Sequence, residues 1–369
     1  MVLALFAIAC LAATELGEIV LPIGAAGLPA FWPPSGLLLA ALVRTDRRRW
    51  PALVLIAVAV QLLALVVLRG RPVTHALTVC LIVSAEACVA AWLLQRLVEA
   101  PLTLNRVAHT WTLILVAAVV PIAGGLVAGQ VLDAGVPYWT VWRAWWLADA
   151  VGMLLIAPLM IAAGAIRSDR LTRVWSGQGL ELAVALVGAL VMAQGVFGDA
   201  FAPLMRVPAY ILPVLLWPAF RLGPGGSAAT VFMVSISGLL NTAAGHGPFV
   251  LAELSPVDWI LRSQGAVLMA AVSLLPLASV VAERRAGELE KAQLVSDLQQ
   301  ALVEIKTLQG MIPICAWCHK VRDDAGFWQR LETYLDEKTD ATFSHSICPS
   351  CADMQHEKVD RIPGEAWRI

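Results

Sequence analysis

The sequence predicts an all-α polytopic membrane helix bundle of about eight to ten spans, continued by a cytoplasmic coiled-coil helix and a small zinc-ribbon or treble-clef-like α+β module. Three observations predict it. The 369 residues are 59% hydrophobic and only 14% charged, whereas a soluble domain carries about a quarter charged residues. Charge is sparse and sits between apolar runs as far as residue 282, then becomes dense from Glu283 onward, so the two regions face different solvents. The charged region contains two Cys-x-x-Cys pairs, "CAWC" and "CPSC". A net charge of −1 offers no basic patch to neutralise phosphates, which argues against a nucleic-acid partner.

The apolar runs separate into segments 2–21, 30–43, 50–68, 73–95, 107–131, 141–165, 179–197, 207–220, 226–244 and 263–282. A span takes roughly 20 apolar residues. Runs 30–43 and 207–220 are short and contain prolines, so they read either as spans or as broken, re-entrant segments, which would leave eight full crossings. The opening "MVLALFAIACLAATELGEIV" has no Lys or Arg before Arg44 and so lacks the basic region of a signal peptide. It reads as the first span.

Loop charge then orients the spans. Under a ten-span count, Arg44, Arg47, Arg48 and Arg49, then Arg96 and Arg106, then Arg167, Arg170 and Arg173, then Arg221, then Arg284 and Arg285 share one side. The opposite loops hold Arg69, Arg71 and Arg206 with Asp133, Asp199, Glu253 and Asp258. Cytoplasmic loops are enriched in Lys and Arg, so both termini are expected in the cytoplasm, with Arg69 and Arg71 against the trend.

Several residues are too polar for their surroundings. Asp149 lies inside the apolar "WWLADAVGMLLIAPLM", where a carboxylate costs about 2.5 to 3.5 kcal/mol on insertion scales. It needs a polar partner or cavity, and Arg143, six residues earlier, is one candidate partner. Glu15, Glu18, Glu86 and His75 pose the same question, and either interhelical hydrogen bonding or a cavity shared by several of them would answer it. In "FWPPSG", Pro33 and Pro34 should break the helix at a membrane interface, with Trp32 as an amphipathic anchor. "NTAAGHGPF" places Asn241 and His246 in an outer loop, suited to ligand recognition or to a plain tight turn.

"FWPPSGLLLAALV", "WWLADAVGMLLIAPLM" and "FRLGPGGSAATVFMVSISGLLNTAAGHGPF" together resemble the MASE1 family over about residues 1–282, where tryptophan-proline-proline, tryptophan-aspartate-glycine and glycine-proline-glycine elements recur in this order. The resemblance implies an integral-membrane sensory domain of a bacterial signalling protein, multi-pass in the cytoplasmic (inner) membrane and in contact with its lipid. It makes Trp32, Trp145, Trp146 and Asp149 candidate sensory residues, beside Glu15, Glu18, Glu86, Asn241 and His246.

Residues 283–312 form the connector. Leu294, Leu298, Ala301, Ile305, Leu308 and Ile312 alternate in steps of four and three, a heptad seam that Arg284, Gly287 and Lys291 weaken upstream. A parallel coiled coil implies a homodimer; the alternative is one amphipathic helix packing on its own tail. Residues 313–369 form the cysteine module. Cys315 and Cys318 are separated from Cys348 and Cys351 by 29 residues. Four thiolates in a reducing compartment suit one structural zinc ion, and a segment of this size needs such a staple. His319 and His345 stand beside the pairs as possible substitute ligands. "GFWQRLETYLDEK" reads as one helix over the site and "ATFSHSI" as a strand into the second pair. The run "ICAWCHKVRDDAGFWQRLETYL…FSHSICPSC" also resembles a cysteine-rich module at the ends of bacterial sensor and receiver proteins. Cys10, Cys80 and Cys88 sit in apolar runs and read as packing.

The tail has room for neither a histidine-kinase core nor a cyclic-dinucleotide synthase, so no enzymatic output is expected. The favoured reading is a membrane sensor that relays its signal through the coiled coil and zinc module to a cytoplasmic signalling protein, such as a histidine kinase or response regulator. The alternatives are a transporter or permease with a regulatory tail, and a redox or metal sensor using the C-terminal cysteines.

Overall fold

A computed structural model of the chain describes residues 2–19, 22–23, 28–99, 101–132, 137–165, 177–198, 207–304, 312–323, 325–339 and 342–360. It divides into Met1–Glu288 and Leu289–Ile369. In the first unit the helices are α1 (Val2–Ile19), α2 (Pro33–Val43), α3 (Trp50–Leu62), α4 (Val73–Leu97), α5 (Val107–Val131), α6 (Tyr138–Ala165), α7 (Gly177–Phe197), α8 (Leu212–Arg221), α9 (Gly223–Ala243) and α10, which begins at Pro256 and ends at Glu304. Each of the ten apolar runs thus contains a helix. Among the described residues, seven helical stretches are long and apolar enough to cross a membrane. A two-residue hairpin, β1 (Pro22–Ile23) with β2 (Leu28–Pro29), joins α1 to the segment before α2.

The short helix α2 is the centre of the bundle. Its two N-terminal prolines lack the N–H groups that a first turn leaves unpaired, so they start the helix cleanly. Nine of its residues, from Pro33 to Leu42, are buried. It packs on α6 backbone to backbone: a Cβ on Gly36 would meet Gly152 O at 2.2 Å, and one on Gly152 would meet Trp32 O at 2.1 Å. Small residues at a helix crossing permit this approach. Trp32 is consequently not an interfacial anchor. It is 3% exposed, and its backbone N–H donates to Ala148 O at 3.2 Å. The helix break expected at "WPP" is present, but within the packed interior.

Contacts along α2 show where it runs. A Cβ on Gly17, near the end of α1, would lie 3.0 Å from the Trp32 ring. At the other end Arg44 donates to Met160 O at 2.7 Å, and Arg47 to Gln95 Oε1 at 3.2 Å. Eleven helical residues reach roughly 16 Å, about half of the ≈ 30 Å of a hydrocarbon core.

After α3 the chain makes a π-helical turn, Leu63–Leu68, and delivers Arg69 and Arg71 to the end of α1. Arg69 pairs with Glu15, and Arg71 with Glu18 at 3.2 Å. The two arginines that run against the loop-charge trend are therefore matched by acids. Arg285 donates to Phe220 O at 2.5 Å, Arg221 bonds Glu181, and Glu283 accepts from Val107 N–H at 2.9 Å. Arg167, Arg170, Arg173, Arg206, Asp133 and Asp199 lie outside the described residues.

In the second unit, β3 (Val321–Arg322) pairs antiparallel with β4 (Trp328–Gln329), followed by α11 (Leu331–Lys338) and α12 (Pro349–Asp360). Two local expectations change. Trp328 is in a strand and helix begins only at Leu331, because Asp323 accepts from Phe327 N–H at 2.8 Å and Gly326 takes φ +90°, which closes a hairpin turn. Of the aromatic and aliphatic side chains assigned to a helix over the site, Tyr334 alone is buried, Leu335 is half-buried and Phe327, Trp328 and Leu331 are exposed. Residues 342–348 carry no strand. Of the heptad positions, Leu294, Leu298 and Ala301 are exposed on α10, while Ile305 and Leu308 lie outside the described residues. Cys10 and Cys80 are buried in the first unit, as packing residues should be.

Candidate functional site: a buried two-carboxyl cavity

Of the candidate sensory residues, Glu18, His75, Trp32, Trp145 and Asp149 line one cavity, and the others lie outside its lining. Asp149 on α6 is 2% exposed and Glu86 on α4 is 5% exposed. The two carboxyls come within hydrogen-bonding reach of each other. Trp145, one turn before Asp149, donates its indole N–H to Glu86 Oε1 at 3.1 Å. Gly124 on α5 makes the room, since a Cβ there would lie 1.4 Å from that same oxygen. Ser35, at the start of α2, bonds Trp32 O at 2.8 Å and Asp149 O at 3.4 Å, which ties the helix break to the acid.

A cavity of about 30 Å³ lies beside Asp149, with Trp145, Trp32, Glu18, His75 and Leu65 among its other lining residues. That volume admits water. Glu86 Oε2, Asp149 Oδ1 and Trp32 Nε1 are buried with no hydrogen-bond partner from the protein. Buried polar atoms are ordinarily satisfied, so the orphans of Asp149 and Trp32 in the lining of one small cavity, with that of Glu86 close behind, mark a site for a small polar species.

The other candidates serve elsewhere. Arg143 turns back to Trp139 O at 3.2 Å and is no partner of Asp149. Trp146 donates to Ala118 O at 2.7 Å and stacks on Trp142, so it packs against α5 rather than lining the cavity. Glu15 is absorbed by Arg69. Asn241 donates to Ser237 O at 2.8 Å and His246 N–H to Asn241 O at 2.9 Å, which makes this a capped turn that does not line the cavity.

One residue that sequence reasoning passed over links the site to α10. Gln264 is fully buried and donates Nε2 to Ala30 O at 2.6 Å, two residues before Trp32. A Gln inside an apolar membrane helix was the available signal. Thr110 and Ser279 add a second buried contact to α10, at 2.7 Å.

In the tail, each cysteine pair has a locally organised first sulfur. Cys315 Sγ accepts backbone N–H bonds from Trp317 and Cys318, which hold its pKa below the usual thiol value. The turn closes with His319 N–H on Cys315 O at 3.0 Å and His319 at φ +57°, a left-handed conformation that favours glycine. Cys348 Sγ lies 3.2 Å from the Ser350 hydroxyl and accepts from Cys351 N–H, which lower its pKa from 9.0 to about 7. Hydrogen bonds that favour thiolate fit metal ligation. Among the described residues, however, no group of three or more His, Cys, Asp or Glu side chains is gathered closely enough to hold an ion.

A many-helix apolar bundle with a buried acidic cavity defines a polytopic membrane protein. The chain belongs to the MASE1 family, whose model matches residues 1–285, and MASE1 is a membrane sensory domain of signalling proteins. Neither a curated protein nor a solved structure matches the chain.

Proposed function

We propose that this protein is an inner-membrane sensor without an enzymatic output of its own, whose input site is the Glu86 and Asp149 cavity and whose output leaves through α10. The observation that carries the reading is the Gln264 hydrogen bond to Ala30 O. The segment Ala30–Trp32 touches α6 and the cavity on one side and α10 on the other, so a change at Asp149 has a packed route to the exit helix. Helix α10 runs from Pro256 to Glu304, more residues than the roughly 20 that a membrane crossing takes.

Beyond the membrane helices, Leu294 and Leu298 form the start of a dimer seam, and the cysteine module binds one zinc through Cys315, Cys318, Cys348 and Cys351. The order of elements supports this: a turn carrying the first pair, a hairpin, and a helix with Cys348 just before it and Cys351 in its first turn. Zinc would gather the two pairs and supply the tail with a core. A cytoplasmic kinase or response regulator is the partner, and both termini are cytoplasmic. The family match does not favour the transporter reading.

The test is disulfide crosslinking of a cysteine placed at Leu298, in cells grown under varied conditions. Crosslinked dimer should form, with a yield that changes with conditions. Gln264→Leu should hold that yield constant. A Gln264→Leu pattern that follows the parent's across all conditions would sink the relay.

A further inference from the structure

We propose that Glu86 and Asp149 together bind one exchangeable proton, taken from the face of the bundle that carries Arg69 and Arg71. The proposal rests on the reading of this cavity as the input site only for its consequence; proton binding stands or falls separately. Two carboxyls in hydrogen-bonding reach of each other need a hydrogen between them. Each also keeps one buried oxygen, Glu86 Oε2 and Asp149 Oδ1, that no protein donor meets. With both ionised, two like charges would sit side by side inside an apolar bundle, the arrangement in which one of a carboxyl pair keeps its proton.

The charged groups on every surrounding element leave the pair without a counter-ion. On α4 there is His75, which lines the cavity; on α1 there are Glu15 and Glu18; after α3 come Arg69 and Arg71, already paired with those two acids. On α6 Arg143 turns away to Trp139 O. The contacts α2 and α5 make here are through Ser35, Trp32 and Gly124, all uncharged. No described basic side chain is among the groups that touch either carboxyl.

The cavity selects the ligand class. It holds water, and its lining of Asp149, Glu18, His75 and the Trp32 indole suits a small polar species. The Trp32 indole N–H, without an acceptor, could donate to that water, which would in turn reach a free carboxyl oxygen. Glu18 and His75 in the same lining make a polar entry toward the face with Arg69 and Arg71. The step balances simply: one proton leaves bulk water and joins the pair, which passes from two negative charges to one, and the reverse returns it to water.

Difference infrared spectroscopy of the full chain in lipid nanodiscs reads the protonated carboxyl directly. A band that shifts in heavy water and titrates with pH is expected in the parent, is lost in the Glu86→Gln, Asp149→Asn double variant, and has a displaced midpoint in either single variant, because coupled groups titrate as a pair. If the double variant does not fold, the single-variant midpoints decide alone. Midpoints identical to the parent's, or a band unchanged in the double variant, would overturn the site. So would displacement of the band by sodium at constant pH with choline as control, which would assign the pair to a metal cation instead. A band that behaves as expected while Leu298 crosslinking ignores pH would keep the proton site and remove its sensory role.

Discussion

At the scale of single residues, the molecule separates acids that look alike in the sequence. Glu15 and Glu18 have arginine partners and stand near the end of α1; Glu86 and Asp149 have each other and an indole. Asp149 was legible because a carboxylate in an apolar helix is costly wherever it faces. Its partner was not, since the pairing of Glu86 with Asp149 depends on how α4, α5 and α6 pack and on the space left by Gly124, which no local pattern encodes. The cysteines were legible from spacing alone. In the tail, elemental analysis of the purified full chain should find about one zinc per chain, and mutation of Cys318 to Ser should remove it. Chelated protein should then alkylate fastest at Cys348, with a rate that rises through a pH of about 7 rather than 9, because the Ser350 hydroxyl and Cys351 N–H favour its thiolate. Ser350→Ala should move that midpoint upward. Metal-free protein that keeps its fold in chelator, or a Cys348 midpoint at the ordinary thiol value, would count against the ligand set.

At the scale of elements, α2 decides the architecture. Its eleven residues looked too short for a span, and hydropathy alone left eight and ten crossings open. What the pattern could not show is that the non-helical Ala30–Trp32 before the helix is buried against α6, so backbone that lipid would not tolerate is sheltered by protein. At the end of α2, Arg44 donates to Met160 O and Arg47 to Gln95 before α3 begins. A reporter fused after Arg49 should accordingly read cytoplasmic, and so should one after Arg285; a periplasmic signal at Arg49 would mean that α2 does not cross. The tail shows the opposite limit. Apolar residues at helical spacing suggested one helix from Phe327, but a hairpin turn at Asp323 and Gly326 takes precedence and places Trp328 in a strand.

At the scale of the whole molecule, the small cavity at Asp149 and helix α10 share one wall, the segment Ala30–Trp32. Interhelical hydrogen bonds in membranes contribute about 0.6 to 1.7 kcal/mol, so loss of the Gln264 contact should leave the bundle folded. The bundle and its ten helices followed from hydrophobicity because apolar length is what a membrane selects. The route between site and output did not, because it is made of a backbone carbonyl and one buried amide from opposite ends of the domain. The most direct measurement of the account is crosslinking at Leu298 in Asp149→Asn, which keeps the side chain's shape while removing its ionisable proton. Folded protein should persist at the parent's level, and crosslinking should stay fixed at one extreme across the conditions, external pH among them, that shift the parent. A crosslinking pattern in Asp149→Asn indistinguishable from the parent's under those same conditions would contradict it.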